Sequence, residues 1–212
     1  MSSTPLPSAL AAALPTAPPA LWRELVARYS EEQRHYHDVS HLEALDRHFA
    51  AVADGPGWSQ PREVALAVLF HDAVYDCGAS DNEQRSALLA REGVSLHFPD
   101  QDIDSGRVEQ LILWTARHGR IAAGELGEDD DALHFLDADM AILGSSPQDY
   151  RRYESQVKQE YCRTLAAPLF KLGRKRFLKR LLKSERIFLS AFFQDRLEAK
   201  ARANIQAALG DL

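Results

Sequence analysis

An apolar stretch that ends in two ionisable residues constrains the fold of this chain most strongly. Residues 64–70 read Val-Ala-Leu-Ala-Val-Leu-Phe, and His71 and Asp72 follow directly. Pro61 suits the first turn of a helix, and no glycine or second proline interrupts the stretch after it. Because almost no polar face remains, we predict a helix that is buried on all sides. A carboxylate buried at its end is costly unless it meets hydrogen bonds or a cation, so we expect a positive charge near Asp72.

The remaining segments also show helical spacing and lack the alternation of strands. The chain is therefore predicted to be all-α, with one helical domain over residues 21–212. Residues 1–20 hold five of the ten prolines and are predicted to form a disordered or loosely docked leader. A helix that begins after Ser80 or Asp81 is predicted to end at Gly93.

Charge and cysteine content limit the classes of function. A net charge of −6 argues against nucleic-acid binding by the whole surface. Cys77 and Cys162 form no CxxC pair and are interpreted as reduced thiols. No apolar run reaches the length of about 18 residues that a membrane span needs. We expect a cytoplasmic protein with no membrane or nucleic-acid partner, and the sequence leaves its oligomeric state open.

Three separated segments each bring a histidine or an aspartate next to apolar residues. They contain His41, the pair His71-Asp72, and Asp139. Two imidazoles and two carboxylates form a donor set that suits a divalent transition metal (manganese, iron, cobalt, nickel or zinc) and is too rich in nitrogen for calcium. The alternative is that His71 and Asp72 only cap the end of the helix. The residues alone leave both interpretations open.

The order His, His-Asp, Asp resembles that of the HD superfamily of metal-dependent phosphohydrolases, and most closely a bacterial group of predicted HD phosphohydrolases. The resemblance extends over about residues 22–205 in the order of the elements. The matching motifs are Arg34-His35-Tyr36-His37 with His41, the run from Phe70 to Asp76, Asp81-Asn82-Glu83 with Ser86, and the run from Asp137 to Gly144. The resemblance implies a helical domain of the HD type with a divalent metal as its cofactor.

The resemblance also implies the metal ligands. These are His41, His71, Asp72 and Asp139. Asp139 is preferred to Asp137 because the last ligand of the family usually follows an alanine. The two aspartates lie about 200° apart around a helix, so both cannot easily face one ion.

Two catalytic residues follow from the same resemblance. His37 is similar in position to the histidine that protonates the leaving oxygen in cyclic-nucleotide phosphodiesterases. Asp76 is a second acid/base candidate, because it would lie one helical turn beyond Asp72 on the same side. Related guanosine tetraphosphate hydrolases position water with an acidic residue at this place. They carry Glu-Asp there, where this chain has Tyr75-Asp76.

Four further residues are predicted to contact the substrate. Arg34 and Arg151 flank the site motifs and offer cationic donors for phosphate. His118 is interpreted as a substrate contact or a weak second-site ligand, with a role at a helix end as the alternative. Glu83 is predicted to contact the substrate, with the alternative that its negative charge only stabilises the first turn of its helix. The basic stretch 171–186 is interpreted as a solvated face rather than as a phosphate clamp.

The sequence therefore predicts a metal-dependent phosphohydrolase that cleaves a phosphoester of a small molecule, with a nucleotide as the expected substrate. The metal would polarise a phosphoryl oxygen and activate water, while an acid protonates the leaving oxygen. One alternative is a di-iron oxygenase of the HD type, which would need His118 and another histidine as ligands. A second alternative is an inactive module that senses or binds nucleotides.

Overall fold

The computed structural model describes residues 5–121, 124–161 and 163–211. Within these ranges the chain forms ten α-helices and one 3₁₀ turn, and no strand. The prediction of an all-α fold is confirmed. Cys162, which was interpreted as a reduced thiol, lies outside the described residues. The helices fall into two compact units, residues 1–116 and residues 117–212.

The first unit has α4 at its centre. Its six helices are α1 (Ser8–Ala13), α2 (Pro19–Tyr29), α3 (Val39–Ala53), α4 (Pro61–Phe70), α5 (Asn82–His97) and α6 (Ser105–Thr115). Every residue of α4 from Glu63 to Phe70 is buried, and the helix contacts α1, α3, α5 and α6. The prediction of a helix buried on all sides is confirmed.

The leader is packed more closely than the sequence predicts. Leu10 and Leu14 are buried, and the backbone N–H of Leu10 donates to Oδ1 of Asp46 at 2.8 Å. Asp46 lies on α3, so this bond ties α1 to the helix that carries His41. The prediction of a disordered or loosely docked leader is wrong for residues 8–14, and residues 1–4 lie outside the described part of the chain.

The prediction that Gly93 ends its helix is wrong. It lies inside α5, where a Cβ atom would meet Cζ of the Phe70 ring at 2.6 Å. The missing side chain therefore lets α5 approach the end of α4 closely, and this packing requirement explains the glycine better than a helix terminus does.

The second unit begins after Ala116. It contains α7 (Asp130–Met140), a 3₁₀ turn (Ala141–Gly144), α8 (Pro147–Tyr161), α9 (Ala167–Lys183) and α10 (Ala191–Asp211). The 3₁₀ turn packs on α10, where a Cβ atom on Gly144 would meet Cβ of Leu197 at 2.6 Å. None of the helices in the described ranges is long and apolar enough to cross a membrane.

Candidate metal site

The start of α3 fixes the position of His41. Asp38 is the N-cap, and its Oδ1 accepts hydrogen bonds from the Ser40 backbone N–H at 2.8 Å and the Ser40 hydroxyl at 2.6 Å. The His41 backbone N–H donates to the Asp38 carbonyl at 3.1 Å. His41 therefore lies in the first turn of a capped helix, and its side chain is almost fully buried.

His71 and Asp72 begin a non-helical segment at the end of α4. Neighbouring elements hold this segment through its backbone. The N–H of Asp72 donates to the Tyr29 hydroxyl at 3.3 Å, and the N–H of Val74 donates to the Ser86 hydroxyl at 3.0 Å. Because the chain leaves the helical path here, the Asp72 carboxylate lies beside the His71 ring and does not point along a helix face.

Three potential ligand atoms meet at this point of the first unit. Nε2 of His71 lies 3.2 Å from Nε2 of His41 and 3.1 Å from Oδ2 of Asp72. Nε2 of His41 lies 3.9 Å from the same Asp72 oxygen. The His41 and His71 side chains are 2% and 1% exposed and that of Asp72 is 17% exposed, so the cluster has one side open to solvent.

The other nitrogen of His71 determines which tautomer is present. Nδ1 of His71 lies 2.9 Å from the Val68 carbonyl oxygen, which can only accept a hydrogen bond. Nδ1 therefore carries a proton, and in the neutral ring Nε2 is the nitrogen whose lone pair faces His41 and Asp72. A lone pair facing a carboxylate oxygen at 3.1 Å is unfavourable unless a proton or a cation lies between them.

This donor set fits a divalent transition metal. It combines imidazole nitrogens with a carboxylate oxygen, the mixture that first-row metals accept. A ligand histidine usually donates its second N–H to a carbonyl or carboxylate, and the bond from His71 to Val68 has this form. His41, His71 and Asp72 could therefore hold a metal ion.

His37 lies at the edge of the cluster. Its Nε2 is 4.0 Å from Oδ2 of Asp72, and its ring stacks on Tyr75 with the ring centroids 4.2 Å apart. The His37 side chain is 20% exposed. It is thus close enough to exchange a proton with a group bound beside Asp72.

Arg34 does not have the phosphate-binding role that the sequence predicted. Its side chain is fully buried, and each guanidinium nitrogen already donates a hydrogen bond. Nε donates to Glu31 at 3.0 Å and Nη2 to the Ala73 carbonyl at 3.2 Å, while Nη1 donates to the carbonyls of His37 at 3.0 Å and Asp72 at 2.7 Å. Arg34 therefore joins the backbone of the His37 segment to that of Asp72, and it is not available to a substrate phosphate.

Asp76 does not lie on the helix that carries the buried apolar run, so its predicted position one helical turn beyond Asp72 is wrong. The prediction required the helix to continue past Asp72, but α4 ends at Phe70. The Asp76 carboxylate is largely exposed and forms an ion pair with Arg85 at 2.5 Å. Its backbone is fixed by Asn82, which accepts from the Asp76 N–H at 3.0 Å and donates to the Asp76 carbonyl at 2.9 Å. A catalytic role of Asp76 stays a prediction from the resemblance alone.

In the second unit, Asp139 lies at the end of α7 and faces His118. Nε2 of His118 is 2.7 Å from Oδ2 of Asp139, and both side chains are mostly buried. His118 follows the end of α6 by three residues, and its ring pairs with a carboxylate rather than with the last carbonyls of a helix. The structure thus joins two residues that the sequence analysis had considered separately.

Asp137 has a structural role within the second unit. Its Oδ1 accepts from the Leu189 N–H, and its Oδ2 accepts from the N–H and the hydroxyl of Ser190, each at 2.7 Å. Burial raises the pKa of Asp137 to about 7, although these hydrogen bonds and the charge of His118 act to lower it. Both oxygens are used to hold the start of α10, so we retain Asp139 as the predicted ligand.

Replacing Asp137 by alanine should therefore destabilise the fold. The substitution removes the acceptor of three buried hydrogen bonds, and we expect the free energy of unfolding to fall by about 3 kcal/mol. Denaturant unfolding in the presence of a chelator measures this quantity without a contribution from bound metal. Asp139→Ala is the matched control, because Asp139 lies on the same helix and its carboxylate faces the His118 ring rather than the backbone at the start of α10. An equal loss in both variants would contradict the role of Asp137.

The last two predicted substrate contacts lie on helix surfaces. Arg151 is exposed on α8, one turn after Pro147. Glu83 is half-buried in the first turn of α5, where a negative charge favours the helix N-terminus. Their contact with a substrate stays a prediction.

The structure also adds residues for which the sequence analysis gave no role. Asn82 and Ser86 lie four residues apart, hence on one face of α5, and bind the backbone of Asp76 and Val74 respectively. The spacing of four residues between two polar side chains is the sequence pattern that could have indicated this role. The Val68 carbonyl, which accepts the hydrogen bond from His71, could not be found in this way, because every residue has a backbone carbonyl.

No protein-family model, curated protein or solved structure matches this chain. The class that fold and site define is an all-α protein with a cluster of potential metal ligands at His41, His71 and Asp72.

Proposed function

We propose that this protein is a metal-dependent phosphohydrolase that cleaves a phosphoester of a small molecule, with a nucleotide as the expected substrate. The observation that supports it most is the orientation of His71. Its Nδ1 donates to Val68, so in the neutral ring its Nε2 offers a lone pair beside His41 and the Asp72 carboxylate, where a metal cation could bind. The order of these residues, which resembles that of HD phosphohydrolases, is the second support.

Asp139 is proposed as the fourth ligand, on the basis of the sequence pattern. When bound, a divalent cation supplies a Lewis acid that polarises a phosphoryl oxygen. Two histidines and two carboxylates carry two negative charges, which balance a divalent ion. The deep burial of His41 and His71 keeps the donor atoms in place and limits access of water to one side.

His37 is proposed as the general acid. Hydrolysis breaks the bond between phosphorus and the ester oxygen while the oxygen of water bonds to phosphorus. The departing oxygen takes a proton from the acid, and the attacking water releases one proton to solvent. Nε2 of His37 lies 4.0 Å from Oδ2 of Asp72, so its protonated imidazole would be placed to supply that proton to a group bound beside the ligands. The stack on Tyr75 holds the His37 ring toward the open side of the cluster.

Replacing His37 by glutamine should slow catalysis and leave the metal in place. The loss of a general acid costs about 10²- to 10⁴-fold in turnover. His37 is not among the proposed ligands, so the metal content measured by elemental analysis should not change. His35→Gln, the same substitution two residues earlier, is the matched control. Unchanged turnover in His37→Gln would remove this residue from the mechanism.

The experiment that tests the function is a hydrolysis screen with protein purified without an affinity tag. Phosphate release is measured from a panel of nucleotides and sugar phosphates, with manganese, iron, cobalt, nickel or zinc added in turn. We expect release that depends on the metal and is lost in chelator. Tight nucleotide binding without hydrolysis would favour the inactive binding module, and consumption of dioxygen with two irons per chain would favour the oxygenase.

A further inference from the structure

The exposed side of α9 carries positive charges that the proposed function does not use. The helix contains no acidic residue, and its basic residues are Lys171, Arg174, Lys175, Arg176, Lys179, Arg180 and Lys183. Arg174 is buried and pairs with Glu154, whereas the other six are half-exposed or exposed. We call these six the cationic face. The whole chain carries a net charge of −6, so this concentration of positive charge is a local feature.

Two leucines add apolar surface to the cationic face. Leu169 is 57% exposed and Leu172 is 46% exposed, and both lie in the first two turns of the helix. Leu172, Arg176, Lys179 and Lys183 follow the spacing i, i+4, i+7 and i+11, which places them on one side of a helix. This row is roughly 16 Å long at a rise of 1.5 Å per residue. The buried side of α9 consists of Phe170, Arg174, Leu178 and Leu181.

We propose that the cationic face binds the protein to the surface of a membrane that contains anionic phospholipids. The lysines and arginines attract the headgroups, and the two leucines enter the boundary between headgroups and acyl chains. Binding of this kind lies on the membrane and does not span it. The sequence-based expectation of no membrane partner rested on the lack of an apolar span, which does not bear on a surface helix.

The composition of α9 favours a lipid surface over nucleic acid. Lysines and arginines attract lipid headgroups and the phosphates of nucleic acid alike, so the two exposed leucines of α9 decide between these partners. Exposed leucines gain free energy when they leave water for a bilayer, whereas a phosphate backbone offers them no apolar partner. Charge complementarity together with apolar surface therefore identifies a membrane surface as the partner.

Sedimentation with lipid vesicles tests this proposal on the full chain. Vesicles of phosphatidylcholine alone are compared with vesicles that also contain phosphatidylserine, at low and at physiological salt. We expect binding only to the anionic vesicles, and a decrease of at least about tenfold in the partition coefficient for the triple variant Arg176→Glu, Lys179→Glu, Lys183→Glu. The matched control is Arg47→Glu, Lys158→Glu, Lys200→Glu, which changes the net charge equally at exposed positions outside α9.

A second variant separates the apolar part of the contact from the charge. Leu169→Ser with Leu172→Ser keeps every charge, and we expect it to lower the binding that remains at physiological salt. Equal loss in the triple variant and its control would overturn the proposal, because the effect would then reflect net charge alone. Failure of the wild-type protein to bind anionic vesicles, or stronger binding to duplex DNA than to vesicles, would also overturn it.

Discussion

Asp72→Ala should remove the metal and lower phosphohydrolase turnover by about 10³-fold or more. Lewis-acid stabilisation of the transition state is worth several kcal/mol, and each 1.4 kcal/mol corresponds to about a factor of ten in rate. Without the Asp72 carboxylate, His41 and His71 would have to hold the ion with one charge fewer and one donor atom fewer. Elemental analysis and a turnover assay on the same preparation measure both effects.

Asp76→Asn is the matched control for this loss. Asp76 lies four residues further along the chain, and its exposed carboxylate pairs with Arg85 rather than with the His41 and His71 rings. We expect this variant to retain its metal, whatever its turnover. Full metal content in Asp72→Ala, or loss of metal in Asp76→Asn, would contradict the assignment of Asp72.

Arg34→Met should destabilise the protein strongly. The guanidinium of Arg34 is fully buried and donates to the carbonyls of His37, Asp72 and Ala73. Loss of a buried, hydrogen-bonded charge costs about 3–5 kcal/mol of unfolding free energy. Because Arg34 also fixes the backbone beside a proposed ligand, metal affinity should fall by about 10- to 100-fold, as for supporting residues of other metal sites. Denaturant unfolding in chelator and a metal competition titration measure the two quantities.

The outcome for Arg34 has two controls. Arg34→Lys keeps the charge, but an ammonium group cannot reproduce a planar fork that bonds three carbonyls, so only part of the stability should return. Arg85→Met removes an arginine whose ion pair with Asp76 is exposed, and its unfolding transition should match that of the wild type. If Arg34→Met unfolds like Arg85→Met, Arg34 does not hold the site together.

Patterns that depend on side chains were predictable from the sequence. The run of apolar residues after Pro61 has no polar face, and α4 is indeed buried on all sides. This prediction rests on a local preference, because a helix without a polar face is stable only when other elements cover it on all sides.

Features that depend on the path of the backbone were not predictable. The end of α4 at Phe70 places Asp76 on a non-helical segment, and no glycine or proline marks that end. The acceptors of Arg34 are backbone carbonyls. Every residue has a carbonyl, so the sequence gives no sign that this arginine is already paired, and a role in phosphate binding was predicted instead. Glycine is favoured both at the end of a helix and where another side chain approaches the backbone closely, as Phe70 approaches Gly93. The sequence alone does not distinguish these two causes.

The choice between Asp137 and Asp139 shows the same limit. Both lie on α7, and the sequence offered only an analogy to prefer the second. The structure shows that Asp137 accepts hydrogen bonds from Leu189 and Ser190, more than fifty residues away along the chain. Contacts over such a separation leave no local pattern in the sequence.

The central claim is that His41, His71 and Asp72 take part in holding one transition metal. Elemental analysis of untagged wild-type protein, alongside His71→Ala and His118→Ala, tests it most directly. We expect about one metal per chain in the wild type and in His118→Ala, and none in His71→Ala. Wild-type protein without stoichiometric metal after incubation with each candidate ion, or a full complement in His71→Ala, would contradict it.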